Sequence, residues 1–179
     1  RCVGEDIQFE KNIGYGYSKK EKNEKLIQKY IKQAKNLVAV SDSILDCYHK
    51  LGVTQSKVHK VTNGVVLENF RVKVNKNIEK KKYSLDRKAL TLISVGRNHL
   101  KKNYDLLIKI AHILKNTSKL NFQFIIVGKG VHLLKTKINN LNLNKHFFLF
   151  EDFSLTDTKN LYLPSLDLIK LYKVSDICL

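Results

Sequence analysis

Tryptophan and methionine are missing from this 179-residue chain, and proline occurs once, at Pro164. Three cysteines, Cys2, Cys47 and Cys178, are odd in number and share no close spacing, which excludes a disulfide framework and a cysteine-rich metal cluster. Reduced thiols in a cytosolic setting follow, with Cys47 and Cys178 expected in helical and strand-like core contexts. No apolar run approaches the roughly 18 residues that a membrane-spanning helix needs. No secretory leader opens the sequence, which starts at Arg1, so an N-terminal portion is expected to be missing. The six histidines are scattered without ligand spacing to a cysteine or carboxylate, and no metal site is expected. A Gly-x-x-x-x-Gly-Lys-Ser/Thr phosphate loop and a Gly-x-Ser-x-Gly elbow are also absent, which removes two common enzyme classes.

What is present is a folded, strongly cationic chain. Hydrophobic residues make up 43% of it, with eight Tyr and eight Phe, enough for an ordinary core. The formal net charge is +17, yet only Arg1, Arg71, Arg87 and Arg97 are arginines. The remaining basic residues are lysines spread along the chain, as on a solvated surface that also attracts anionic membrane surfaces. A basic RNA-binding module is the third reading of this charge. The aromatics fall within apolar strands and helices rather than on a stacking platform, so no nucleic acid is expected as a partner.

Periodicity divides the chain. An amphipathic helix is expected over residues 21–35, on Leu26, Ile27, Tyr30, Ile31 and Ala34, followed by a short strand at 36–40. Ser41 supplies N-cap chemistry for a helix over 44–51 that Gly52 closes, and a strand at 57–61 runs into the turn pair Asn63-Gly64. Residues 71–88 read as a linker: Lys76, Lys80, Lys81 and Lys82 surround a single apolar residue, Ile78, and such like-charge runs stay solvated and extended. Regular alternation follows: strand 89–95, helix 104–114 with Leu107, Ile110, Ala111 and Leu114 as its apolar stripe, strand 122–127, helix 131–141, strand 146–150, helix 165–172 and strand 176–179. Alternating strands and helices build βαβ units on a parallel sheet.

The stretch from Leu92 to Leu107 carries the chemistry. A buried strand ends in Gly96, releases Arg97, and passes through Lys101 and Lys102 into a helix. Cations at the carboxyl end of a parallel strand stand where open α/β sheets bind phosphorylated ligands, and a guanidinium fork with a nearby ammonium suits a diphosphate. Lys101 and Lys102 compete for that role. The glycines of Gly128-Lys129-Gly130, after the next strand, let backbone approach a ligand closely. His99 lies in the basic loop and is the one histidine to watch.

The order and spacing of Val38-Ala39-Val40-Ser41, Gly52, Asn63-Gly64-Val65 with Phe70, Val95-Gly96-Arg97 with Lys102, Ile126-Val127-Gly128-Lys129-Gly130 and the run from Leu171 to Ile177 resemble family 4-type glycosyltransferases of GT-B architecture. The expected fold class is therefore α/β and GT-B-like, with parts of two Rossmann-like parallel-sheet domains truncated at both ends. Residues 1–70 would end the acceptor-side domain, 71–88 would link, and 89–179 would begin the donor-binding domain. The resemblance implies a retaining transferase of polysaccharide biosynthesis, cytoplasmic and peripheral at the membrane, that needs no cofactor or metal. It would move sugar from a nucleotide-diphosphate-sugar donor to a saccharide or lipid-linked acceptor. Arg97 and Lys102 would contact the donor diphosphate as catalytic residues, and Gly96, Gly128 and Gly130 would line the nucleotide. Asn103 stands where the family usually has glycine, and the family's acidic pair would fall beyond Leu179, leaving these residues alone inactive. A nucleotide-sugar epimerase of the same architecture is the alternative.

Overall fold

The computed structural model describes residues 4, 7–17, 20–151 and 164–179, which divide into two compact units, Arg1–Val65 and Val66–Leu179. Cys2 lies outside the described residues. The first unit holds α1 (Glu21–Gln33), β1 (Leu37–Ala39), α2 (Asp42–Lys50) and β2 (Val58–Lys60). β1 and β2 pair in parallel, Leu37 opposite Val58 and Ala39 opposite Lys60. Ile31, Leu37, Ala39, Ile44, Tyr48 and Val58 are buried together between strands and helices. Ser41 caps α2 as its sequence implied, its Oγ accepting from the Ile44 N–H at 3.4 Å. Gly52, at φ +78°, takes the left-handed conformation that ends that helix.

The second unit contains α3 (Lys76–Lys82), β3 (Leu90–Val95), α4 (Tyr104–Thr117), β4 (Phe122–Val127), α5 (Lys135–Asn140), β5 (Phe147–Phe150), α6 (Leu166–Val174) and β6 (Ile177–Cys178). Its four strands are parallel in the order β5-β4-β3-β6. β4 is buried at every position, as a central parallel strand covered on both faces must be. Phe122, Phe124 and Ile126 face α4 and α5 through Tyr104, Ile108, Ala111, Leu134 and Ile138. Ile125 and Val127 face the opposite layer, with Leu85, Leu171 and Val174. The sheet is therefore doubly wound.

Three expectations are corrected here. The lysine-rich run is a helix, not an extended chain. Asn75 caps α3, its Oδ1 accepting from the N–H groups of Asn77 at 3.1 Å and Ile78 at 3.3 Å. Lys80 turns inward to 6% exposure while Ile78, the apolar member, stands 65% exposed. Ion pairs fasten α3 to α6, Glu79 to Lys170 at 3.2 Å and Lys82 to Asp167 at 3.1 Å. Burial raises the Asp167 carboxyl, but hydrogen bonds from Lys82 and Tyr83 outweigh it and hold it below the usual range. Burial, and then the hydrogen bond to Asp167, push the Tyr83 phenol up to about 12 against the opposing pull of Lys82. Second, the stripe of α4 centres on Tyr104, Ile108 and Ala111, and Ile110 lies at its exposed margin. Third, Cys178 is exposed, and among the described residues its strand β6 pairs with β3 alone.

Gln123 interrupts the otherwise apolar β4 and is 1% exposed. Its Nε2 donates to the Asp86 carbonyl and to Thr91 Oγ1, both at 2.9 Å, and its Oε1 accepts from the Asp86 N–H at 3.0 Å. This amide ties the segment entering β3 to the centre of the sheet. Gln123→Leu removes three hydrogen bonds, one of them to the buried Thr91 hydroxyl, and is expected to cost about 3 kcal/mol in urea denaturation. Unchanged stability would show that the amide carries no net weight.

Candidate functional site at the carboxyl ends of β3, β4 and β5

From β3 the chain winds outward through β4 to β5, then returns across β3 to form β6 on its other side. The order reverses at β3 and β6. In open parallel sheets the crevice outside the carboxyl ends of strands at such a reversal is where ligands bind. Gly96 and Arg97 leave β3 at this point.

The loops after β3, β4 and β5 are fused by backbone contacts. The Gly96 N–H donates to the Val127 carbonyl at 2.8 Å, and the Gly128 N–H donates to the Phe150 carbonyl at 2.8 Å. Each strand's pairing thus extends one residue past its end. Gly128 sits at φ +149°, and a Cβ on it would collide with the Gly96 carbonyl oxygen. That oxygen accepts from the Tyr104 hydroxyl at 2.8 Å. Burial raises the Tyr104 pKa, so the phenol stays a donor. Asn98 clasps the second loop twice, N–H to the Lys129 carbonyl at 2.8 Å and Nδ2 to the Gly130 carbonyl at 3.1 Å. Glu151, just past β5, accepts from the Gly130 N–H at 2.8 Å and pairs with His132. The hydrogen bond from His132 holds the Glu151 carboxyl below its ordinary range.

Of the two competing lysines, Lys102 is the one set against Gly96. The Lys102 side chain lies across Gly96: a Cβ built there would stand 3.1 Å from both Cδ and Nζ of Lys102. The absence of a side chain at residue 96 is what makes room for this ammonium arm at the end of β3. The Lys101 N–H is spent on His99 Nδ1 at 3.1 Å, which caps the 3-10 turn Leu100–Lys102. His99 therefore shapes the loop. Asn103 adopts φ +49°, ψ +45°, the left-handed conformation that asparagine, like glycine, tolerates. Arg97, the residue after Gly96, is exposed.

Gly96, Arg97, Lys102, Gly128 and Gly130 thus come together at one end of the sheet, as the sequence reading expected of their positions. Tyr104, Asn98 and Glu151 were missed. Tyr104 follows a left-handed residue at a helix start, where a tyrosine hydroxyl can reach back to the preceding strand; the other two carry no sequence signal beyond polarity in a loop. Among the described residues no group of three His, Cys, Asp or Glu is placed to hold a metal ion. No helix among them is long and apolar enough to cross a membrane.

A doubly wound parallel unit with cations and a glycine-made gap at its switch point defines an α/β protein of the open-sheet class, whose ligand crevices lie at such switch points. The chain belongs to the glycosyl transferases group 1 family, which it matches over residues 75–171, more than half its length. It is 29% identical over 143 residues to the Escherichia coli UDP-Gal:alpha-D-GlcNAc-diphosphoundecaprenol alpha-1,3-galactosyltransferase, covering 74% of this chain and 37% of that protein. Its fold is that of Anabaena Alr3699/HepE, solved with UDP-glucose, at TM-score 0.68 and 16% identity over 88% of this chain and 41% of that one. A Rickettsia africae glycosyltransferase superposes at TM-score 0.66 with 21% identity, covering 86% of this chain and 40% of that one. The architecture is GT-B-like, and the chain spans about two fifths of the length of these relatives. The epimerase and RNA-binding readings find no support in these comparisons.

Gly128→Ala combines a strained φ with a backbone collision and is expected to lower stability by about 3 kcal/mol in thermal or urea unfolding. Gly130→Ala, whose Cβ would meet only Asn98 Cβ at 3.6 Å, should cost about 1 kcal/mol. Equal effects of the two substitutions would contradict the close approach of the Gly96 and Gly128 loops.

Proposed function

We propose that the protein containing this chain transfers a sugar from a nucleotide-diphosphate donor to a saccharide or lipid-linked acceptor, with residues 89–179 beginning its donor-binding domain and residues 1–70 ending its acceptor-side domain. The observation that carries this reading is the Lys102 arm laid over Gly96 at the switch point, with Arg97 leaving the same strand end. As the bond between the anomeric carbon and the diphosphate breaks, negative charge collects on the departing nucleotide. The Lys102 ammonium and the Arg97 guanidinium neutralise it, and the work is electrostatic, done by cations set in place before reaction. Gly96, Gly128 and Gly130 let nucleotide approach the backbone. The transfer retains anomeric configuration and uses neither cofactor nor metal.

The Escherichia coli relative acts on a sugar carried by diphosphoundecaprenol, which supports a lipid-linked acceptor. The cationic surface suits a cytoplasmic protein held at an anionic membrane.

In a protein spanning the full length of its relatives, Arg97→Ala and Lys102→Ala each remove a charge-assisted contact of roughly 1.5–3 kcal/mol. Donor kcat/KM should fall about 10- to 100-fold with melting temperature unchanged, while Lys101→Ala stays near wild type. Wild-type turnover in folded Lys102→Ala protein would refute its role at the diphosphate. Turnover should also persist in EDTA; loss on chelation and recovery with a divalent cation would refute the metal-free reading.

A further inference from the structure

At the opposite, amino-terminal edge of the same sheet lies a second cationic cavity. α3, the segment entering β3, and the start of β6 surround about 400 Å³ lined by Lys76, Lys80, Arg87, Lys88 and Asp176. The six residues of β3, about 20 Å at strand rise, separate it from the Gly96–Lys102 crevice, and the two share no residue. Four cations and one carboxylate, Asp176, line it, and that carboxylate is engaged. Asp176 Oδ2 accepts from the Thr91 N–H at 2.9 Å, and its Oδ1 lies 3.8 Å from the Lys76 ammonium. Asp86, beside the cavity, accepts from the Lys88 N–H and from Asn121, and its carboxylate also lies within electrostatic reach of Lys80 and Lys88.

Lys80 is the telling member. It is 6% exposed and forms no ion pair among the described residues. Its ammonium donates only long bonds, to the Arg87 carbonyl at 3.4 Å and the Ala89 carbonyl at 3.3 Å. A desolvated ammonium with such thin compensation is costly unless an anion completes its shell. On α3 it is this lysine that lies buried, while Ile78, two residues earlier, stands exposed.

We propose that this cavity binds a phosphate-type oxyanion, supplied either by an anionic phospholipid headgroup or by a soluble phosphorylated metabolite. The proposal stands apart from the transferase reading, since it uses none of the donor crevice. The test is titration of the nitrogen-15-labelled chain with inorganic phosphate, read at individual backbone amides. The amides of residues 87–90 should shift saturably, and Arg87→Ala/Lys88→Ala, both exposed and safe for folding, should weaken binding at least tenfold. Lys80→Met should do the same where it folds; where it does not, the double variant decides. Arg97→Ala should change nothing at residues 87–90, which separates failure here from failure at the donor site. Sedimentation with phosphatidylglycerol vesicles that the double variant loses assigns the headgroup; phosphate binding without sedimentation assigns a soluble ligand. Absence of saturable shifts at these amides together with absence of charge-dependent sedimentation overturns the proposal, as does phosphate affinity unchanged in the double variant.

Discussion

The approach of the Gly96 carbonyl to Gly128 governs the candidate site. Two parallel strands end side by side, and the Gly96 carbonyl lies so close to Gly128 that residue 128 has no room for a side chain. Three features meet at that contact. The β3 and β4 loops share a fixed register, reinforced by Asn98 on the Lys129 and Gly130 carbonyls. The Gly96 peptide is held from below by Tyr104, so the contact is anchored in the main core. The gap left over Gly96 is filled by Lys102, which carries a cation to the end of the sheet at the place where strand order reverses. Preorganised charge of this kind needs little rearrangement when an anion arrives.

The unit around it is built to keep that end rigid. β4 is covered on both faces, and Gln123 and Asp176 tie β4 and β6 to the entry of β3 through hydrogen bonds rather than apolar contact. The polar groups lie toward the amino-terminal edge, where segments enter the sheet, and the glycines lie toward the carboxyl edge, where a ligand would approach.

Much of this was legible in sequence. Strand β4 was bounded to the residue, and β3, β5 and α6 to within a few residues, because strict apolar runs between turn residues leave little choice. Ser41 and Gly52 were readable as caps from local chemistry alone. The failures have a common cause. The run from Asn75 to Lys82 looked extended because its one apolar residue was Ile78, yet α3 buries Lys80 and exposes Ile78. Periodicity counts residue types and cannot see a lysine whose stem packs inward while its ammonium reaches backbone carbonyls. Likewise Ile110 rather than Ile108 was assigned to the stripe of α4, since Leu107, Ile110, Ala111 and Leu114 form a regular set that the true centre on Tyr104 rotates by a fraction of a turn. That Lys102 and Gly96 meet was not legible in sequence, because spacing along the loop does not say which side chain crosses a glycine.

The central claim is that the Gly96 gap and Lys102 hold the diphosphate of a nucleotide. The most direct measurement is a crystal structure of the protein with UDP bound. The account predicts a phosphate oxygen within about 3 Å of Lys102 Nζ, with the nucleotide against the Gly128 and Gly130 backbone. UDP bound in that structure with its diphosphate away from the β3 end, or with Lys102 turned to solvent, would contradict it.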